Sequence, residues 1–202
     1  EEMSGLIRSL FNNTFKTNEY LGRAILTGIT RVSKESMFSD LNNLDVCTMS
    51  SEKYQEYFGF TEEEVFESMD EYGYTNKEEV KHWYDGFTIG SKADMYNPWS
   101  IINFLDKGKL APYWSNSSSN GLAGKLLREG DHRQKQDFEK LLKGGTIEKE
   151  IDEDIVFKQL DEDSDAVWGL LTASGYLRIN SIKDGVYELE IVNYEVMQMF
   201  RK

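Results

Sequence analysis

The stretch HWYDGFTIG, residues 82–90, places three aromatic side chains around one acid and one glycine. Trp83, Tyr84 and Phe87 are residue types that fill protein cores, because each buries a large apolar surface. Asp85 stands directly before Gly86, where an aspartate commonly accepts hydrogen bonds from the backbone of a turn. We therefore expect a helix to end at Gly86 and the aromatic side chains to pack in a core.

Capping signals on both sides of this stretch predict a mainly helical region, residues 51–147. A threonine followed three residues later by glutamate forms a capping box, and a glycine just past the last turn ends a helix. The predicted helix starts are Thr61 with Glu64, Thr75 with Glu78, Asn97 followed by Pro98, and Asp131. The predicted ends are Gly86, Gly108 and the pair Gly144-Gly145.

The C-terminal part, residues 148–202, predicts an acidic connector followed by a helix, a β-hairpin and a helix. Residues 148–165 contain nine acidic residues. Tyr187, Leu189 and Ile191 alternate as they do in a half-buried strand, after a turn at Lys183-Asp184-Gly185. Asn193 would cap the last helix. A helix, a hairpin and a helix in this order resemble part of a winged-helix unit.

The N-terminal part, residues 1–50, predicts an amphipathic helix followed by buried strands. Apolar residues recur at helical spacing between residues 3 and 15. Short apolar runs at 23–29 and 44–49 are typical of parallel strands that helices cover on both faces. We therefore expect a mainly α fold of the α+β kind, with a small parallel sheet at its start.

Composition excludes several classes of function. The chain has 36 acidic and 23 basic residues, a net charge of −13, whereas a nucleic-acid binder needs a basic surface. Its single cysteine, Cys47, fits a reducing compartment. No apolar run approaches the length of a membrane span, and the first residues do not form a signal peptide. We expect a cytoplasmic protein that does not bind membranes.

The motifs of common catalytic sites are incomplete. No phosphate-binding loop is present, and two histidines with one cysteine complete no zinc site. Asp184, Glu188 and Glu190 mimic the acids of restriction-type nucleases, but glutamate occupies the position of the required lysine. The polar loop after residue 26 contains Thr27 and Arg31, which either form turns and ion pairs or face a phosphate. The residues alone leave both interpretations open.

Six segments occur in one order: ILTGITRVSKESMFSDLNNL at 25–44, EKYQEYFGFTEEEV at 52–65, WYDGF at 83–87, YNPWSIINFL at 96–105, PYWSNSSSN at 112–120 and LLTASGYL at 170–177. With them the chain resembles the AAA-ATPase-like family of bacterial proteins. These are predicted P-loop ATPases, often fused to a C-terminal PD-(D/E)XK nuclease-like domain. The resemblance covers nearly the whole chain, and it implies that this sequence corresponds to the middle of a longer protein. The phosphate loop and the nuclease-like domain would lie outside it.

The resemblance also implies roles for each part. Residues 1–50 would be the C-terminal remnant of an α/β nucleotide-binding core, 51–147 a helical lid, and 148–202 a connector with a winged-helix-like unit. Thr27 would be a sensor residue, and Arg31 could reach a γ-phosphate. Asn97 and Pro98 would begin a lid helix near the adenine, and the aromatic cluster would fix this lid against the core.

The expected function is therefore that of the lid and regulatory region of an ATP-driven switch, not catalytic by itself. ATP and Mg are implied for the full-length family, and no cofactor or metal is expected for this chain alone. The expected partner is the missing N-terminal ATPase half, or a second copy bound through residues 1–50. The alternative is a stand-alone protein-interaction module that needs no nucleotide. A nuclease subunit is the weaker third option.

Overall fold

A computed structural model of the chain describes residues 2–16, 18–28, 41, 44–115, 130–151 and 165–201. Within these ranges the fold is mixed α+β, with seven α-helices and two antiparallel sheets of three strands each. The elements are α1 Glu2–Phe11, β1 Phe60–Thr61, α2 Glu62–Glu71, α3 Lys77–Tyr84, β2 Phe87–Ile89, β3 Lys92–Tyr96, α4 Pro98–Lys107, α5 His132–Leu142, β4 Ile147–Glu150, α6 Ala166–Ala173, β5 Leu177–Lys183, β6 Val186–Ile191 and α7 Tyr194–Phe200.

The N-terminal helix is confirmed, but the predicted parallel strands are not. Helix α1 continues into a π-helical turn, Asn12–Lys16. The described residues of the two apolar runs, 23–28 and 44–49, form no strand, and Ile25 is 92% exposed. A strand needs neighbours that pair with its backbone, and an apolar run in a sequence does not show whether such neighbours exist. Both sheets in the described ranges are antiparallel, so no parallel P-loop core is present there.

The first core lies between helices α2, α3 and α4 and the sheet β1-β3-β2. Strand β3 pairs with β1, Phe60 opposite Tyr96, and with β2, Phe87 opposite Met95. The helices place one apolar face each against this sheet, as their spacing requires. The buried residues of this first core are Val65, Met69, Val80, Tyr84, Tyr96, Ile101 and Phe104.

Most of the predicted helix caps are confirmed. Thr61 and Glu64 form the capping box of α2, and Asn97 accepts hydrogen bonds from the first turn of α4. Gly108 ends α4 in the left-handed region, at φ 63°, and Asp131 forms a capping box with Gln134 at the start of α5.

One predicted cap is wrong. Helix α3 begins after Asn76, not after Thr75, and no side chain caps it. Asn76 Nδ2 instead donates to Glu79 Oε2, over 2.9 Å. The other end of α3 agrees with the prediction, since Asp85 is its C-cap and Gly86 follows.

The second core lies under the sheet β4-β6-β5. Its β5–β6 hairpin turns at Asp184 and Gly185, both with positive φ, as a tight two-residue turn between twisted strands requires. The buried residues of this second core are Leu141, Ile147, Val167, Trp168, Leu171, Leu177, Leu189, Ile191, Val192 and Val196. Helices α5, α6 and α7 pack on it. Two of these core residues, Leu141 and Ile147, belong to the segment 51–147 of the sequence-based division. The division into 1–50, 51–147 and 148–202 stays a prediction.

The two cores meet where α3 ends. Phe87 of strand β2 and Trp114 of the loop after α4 pack against the second core, although β2 and α4 belong to the first. Gly86 has φ 124°, and a Cβ added to it would lie 2.0 Å from the carbonyl oxygen of Val192. The absence of a side chain at residue 86 therefore lets the first core approach the second. None of the helices in the described ranges is long and apolar enough to cross a bilayer.

We predict that Gly86→Ala destabilises the protein by at least about 2 kcal/mol more than Gly73→Ala. Gly73 also has positive φ, 78°, but a Cβ there would meet nothing within 4 Å. The second variant therefore measures the backbone strain alone, and the difference measures the close approach to Val192. Urea denaturation of both variants gives the two free energies of unfolding. Equal losses of unfolding free energy in the two variants would show that the close approach of Gly86 to Val192 does not contribute to stability.

Candidate functional site

The structure places the predicted site residues in two settings. Thr27 is exposed in an irregular segment, and Arg31 lies outside the described residues. Asn97 and Pro98 begin helix α4, where the Asn97 side chain accepts from the amides of Trp99 and Ser100. The sensor and adenine-binding roles of these residues stay predictions. Ser100, in the first turn of the same helix, takes part in a buried polar site where α3, α4 and α7 meet, which we call the junction.

The centre of this junction is the carboxylate of Glu195, which is 1% exposed. Its Oε2 accepts from Ser100 Oγ over 2.7 Å, and its Oε1 accepts from the amides of Trp114 and Ser115 over 2.6 and 3.1 Å. The amide of Tyr113 also faces it. Burial raises the pKa of Glu195, and these hydrogen bonds oppose that rise because they favour the charged form.

Two further hydrogen-bonded contacts complete the junction. Tyr84 Oη donates to the carbonyl oxygen of Ala111 and accepts from its amide, each over 2.9 Å. Asn193 Nδ2 donates to the carbonyl oxygen of Tyr84 over 3.2 Å. Residues 111–115 are therefore held from one end by α3 and from the other by α7. The junction comprises Tyr84, Ser100, Asn193 and Glu195, with residues 111–115.

The sequence did not single out Glu195. It occupies the first turn of α7, where an acidic residue usually only complements the positive end of the helix. Its partners lie 95 and about 80 residues away in the sequence, so no local pattern could reveal them. Asn193, by contrast, is confirmed as the cap of α7, where it accepts from the amide of Val196.

A second polar cluster surrounds Lys81 of helix α3. Its ammonium contacts Glu62, lies 3.6 Å from Asp94 Oδ1 and 3.9 Å from Asp85 Oδ2. The hydrogen bond with Glu62 raises the pKa of Lys81. Carboxylate oxygens of Glu62, Asp85 and Asp94 lie within 4.8 Å of one another, a spacing that suits a metal ion. The ammonium already contacts all three, so the residues present form an ion network instead of an open metal site.

Asp85 is the perturbed acid of this cluster. Burial, and then the neighbouring charge of Asp94, raise the pKa of Asp85 to about 6. Asp94 itself has φ 55°, a left-handed conformation that non-glycine residues adopt rarely. The prediction that Asp85 accepts from the backbone beside the turn glycine agrees with its hydrogen bond from Gly86.

The acids that mimic a nuclease motif are used in the sheet. Asp184 lies in the hairpin turn. Glu188 accepts from Thr146 and Ser181, each over 3.2 Å, and Glu190 pairs with Arg178 over 2.8 Å. These contacts span neighbouring strands, so the two glutamates have a structural use in the described sheet.

Comparison with known proteins identifies a distant relative and no function. No family model matches the chain, and no solved structure matches it. A protein of Azotobacter chroococcum mcd 1, described as "Uncharacterized protein in vnfD 5'region", is 30% identical over 124 residues, which are 61% of this chain. The match covers 24% of that protein, so the chain spans about a quarter of the curated relative's length.

The raised pKa of Asp85 predicts that the stability of the fold depends on pH. Its pKa is about 6 in the fold against an ordinary value of 3.8, so between these values the folded state keeps a proton that the unfolded state has released. Stability should therefore fall as pH rises from about 4 to 6. We predict that Asp85→Asn raises the free energy of unfolding at pH 7 by about 1–3 kcal/mol and flattens this slope.

Urea denaturation between pH 4 and pH 7.5 measures this effect. Glu67→Gln is the control, since Glu67 is an exposed acid on α2 and its loss should change stability little. If Asp85→Asn left the slope unchanged, or lowered stability at pH 7, Asp85 would act as a stabilising ion-pair partner of Lys81 instead.

Proposed function

We propose that this chain is the lid and coupling region of an ATP-driven switch, the C-terminal part of a predicted AAA-like ATPase without catalytic activity of its own. Six segments that resemble that family in one order support the proposal. In this proposal ATP and Mg bind in the full-length protein, and Thr27 and Arg31 sense the γ-phosphate.

The hydrogen bond between Ser100 and Glu195 carries the proposal. Ser100 lies in the first turn of α4, and Asn97 and Pro98, which begin that helix, are the residues proposed to lie near the adenine. Glu195 lies in α7, whose Val196 is part of the second core. A shift of the start of α4 on nucleotide binding would therefore move α7 through one buried contact of 2.7 Å.

The proposed receiver of this movement is the C-terminal unit. Helix α6, the β5–β6 hairpin and α7, with β4 added to the hairpin, support the winged-helix-like assignment. Helix α6 has no lysine or arginine and the chain has a net charge of −13, which favours a protein partner over nucleic acid because phosphate groups would be repelled. In this proposal the switch acts on an attached or bound effector protein.

Hydrogen exchange on the full-length gene product tests the coupling. ATP with Mg should change amide exchange in α6, the hairpin and α7, and Ser100→Ala should reduce that change several-fold while ATP binding persists. Ser68→Ala is the matched control, because Ser68 bonds only within α2, to the carbonyl oxygen of Glu64. The proposal would be contradicted if the full-length protein did not bind ATP. It would also be contradicted if ATP left amide exchange in α7 of the wild type unchanged.

The second candidate is a protein-interaction module that needs no nucleotide. An open groove of about 470 Å³ beside the junction favours it, since its lining combines aromatic and acidic side chains. The same full-length ATP measurement separates the two candidates, because the module would show no response to nucleotide.

A further inference from the structure

The groove lies between helix α3, the first residue of α7 and the loop after α4. Its volume of about 470 Å³ is within the range of small-ligand sites, about 300–1,000 Å³. The lining residues are Glu78, Glu79, His82, Trp83, Leu110 and Tyr194. It is distinct from the Glu195 carboxylate, which is buried inside the junction.

The floor of the groove is aromatic and held in place. The ring centroids of Trp83 and Tyr194 lie 4.9 Å apart at 79°, and those of His82 and Tyr194 lie 4.8 Å apart at 33°. Tyr194 follows Asn193, which is hydrogen-bonded to the end of α3. Because the rings are already ordered by these contacts, a ligand that stacks on them loses little conformational entropy in the protein.

The rim of the groove is acidic. Glu78 and Glu79 are exposed in the first turn of α3. His82 and Trp83 lie four residues after Glu78 and Glu79, so each glutamate shares a face of α3 with one ring of the groove. Glu79 accepts from Asn76, whereas Glu78 has no ion-pair partner among the described residues. Carboxylates and aromatic rings that line the same groove both attract cations, and the carboxylates repel anions.

We propose that this groove binds an arginine side chain of a partner protein. A guanidinium group is planar, so it stacks on Trp83 or Tyr194 while its N–H groups reach a glutamate of the rim. A lysine ammonium offers the charge without the stacking plane. The exposed rim leaves the groove open at the surface, which suits a side chain that stays attached to a larger partner. The proposal is independent of the nucleotide switch, because none of the residues that line the groove has a proposed role in nucleotide binding.

Peptide titration on the full chain tests the proposal. The probes are a short labelled peptide of alternating arginine and serine, and its lysine and glutamate versions. The arginine peptide should bind most tightly and shift the indole N–H resonance of Trp83, the lysine peptide should bind more weakly, and the glutamate peptide should not bind. A lysine peptide that binds as tightly as the arginine peptide would overturn the role of stacking.

Charge variants distinguish the groove from the general negative field of the protein. The double change Glu78→Gln and Glu79→Gln should weaken arginine-peptide binding at least about tenfold, a difference of about 1.4 kcal/mol. Glu63→Gln with Glu67→Gln removes the same charge from exposed positions of α2, outside the groove, and should change binding less than about twofold. Equal weakening by both pairs would overturn the proposal. So would tighter binding of a single-stranded oligonucleotide that shifts the same Trp83 resonance.

Discussion

The described fold depends on one buried carboxylate. Glu195 is almost fully removed from water, and a charge in that position is tolerated only when donors surround it. Ser100 and the backbone of residues 113–115 supply these donors. Because the donors come from α4 and from the loop that follows it, satisfying this carboxylate fixes both against α7. A hydrogen bond to a charged group commonly contributes about 1.5–3 kcal/mol, so the loss of one donor to this carboxylate should be costly.

The same junction positions the start of α4 and the aromatic groove. It places the start of α4, where a nucleotide is proposed to bind, one hydrogen bond away from the C-terminal unit. Through Asn193 and the close approach of Gly86 to Val192, it also brings α3 against α7. The aromatic groove exists because these two helices meet there. A structural contact thus creates both the proposed coupling and the proposed binding surface.

The parts of the fold that local rules determine could be predicted, and the parts that depend on distant partners could not. Caps such as Thr61 and Asn97, and the hairpin turn at Gly185, follow from side-chain and backbone chemistry within a few residues. The apolar run at 23–28 suggested a strand, yet pairing depends on neighbours that a run cannot show. Strands β1 and β2 are too short for a periodic signal, and the role of Glu195 depends on residues about 80 positions away.

Native-state hydrogen exchange at the amides of Trp114 and Ser115 tests the central role of Glu195 most directly. Both amides donate to its carboxylate. If this contact joins the two cores into one cooperative unit, both amides should exchange only through global unfolding, with the same free energy as the amide of Leu189 in the second core. Exchange at a free energy lower by about 2 kcal/mol or more would show that the loop opens by itself. In that case Glu195 would not be the contact on which the fold depends.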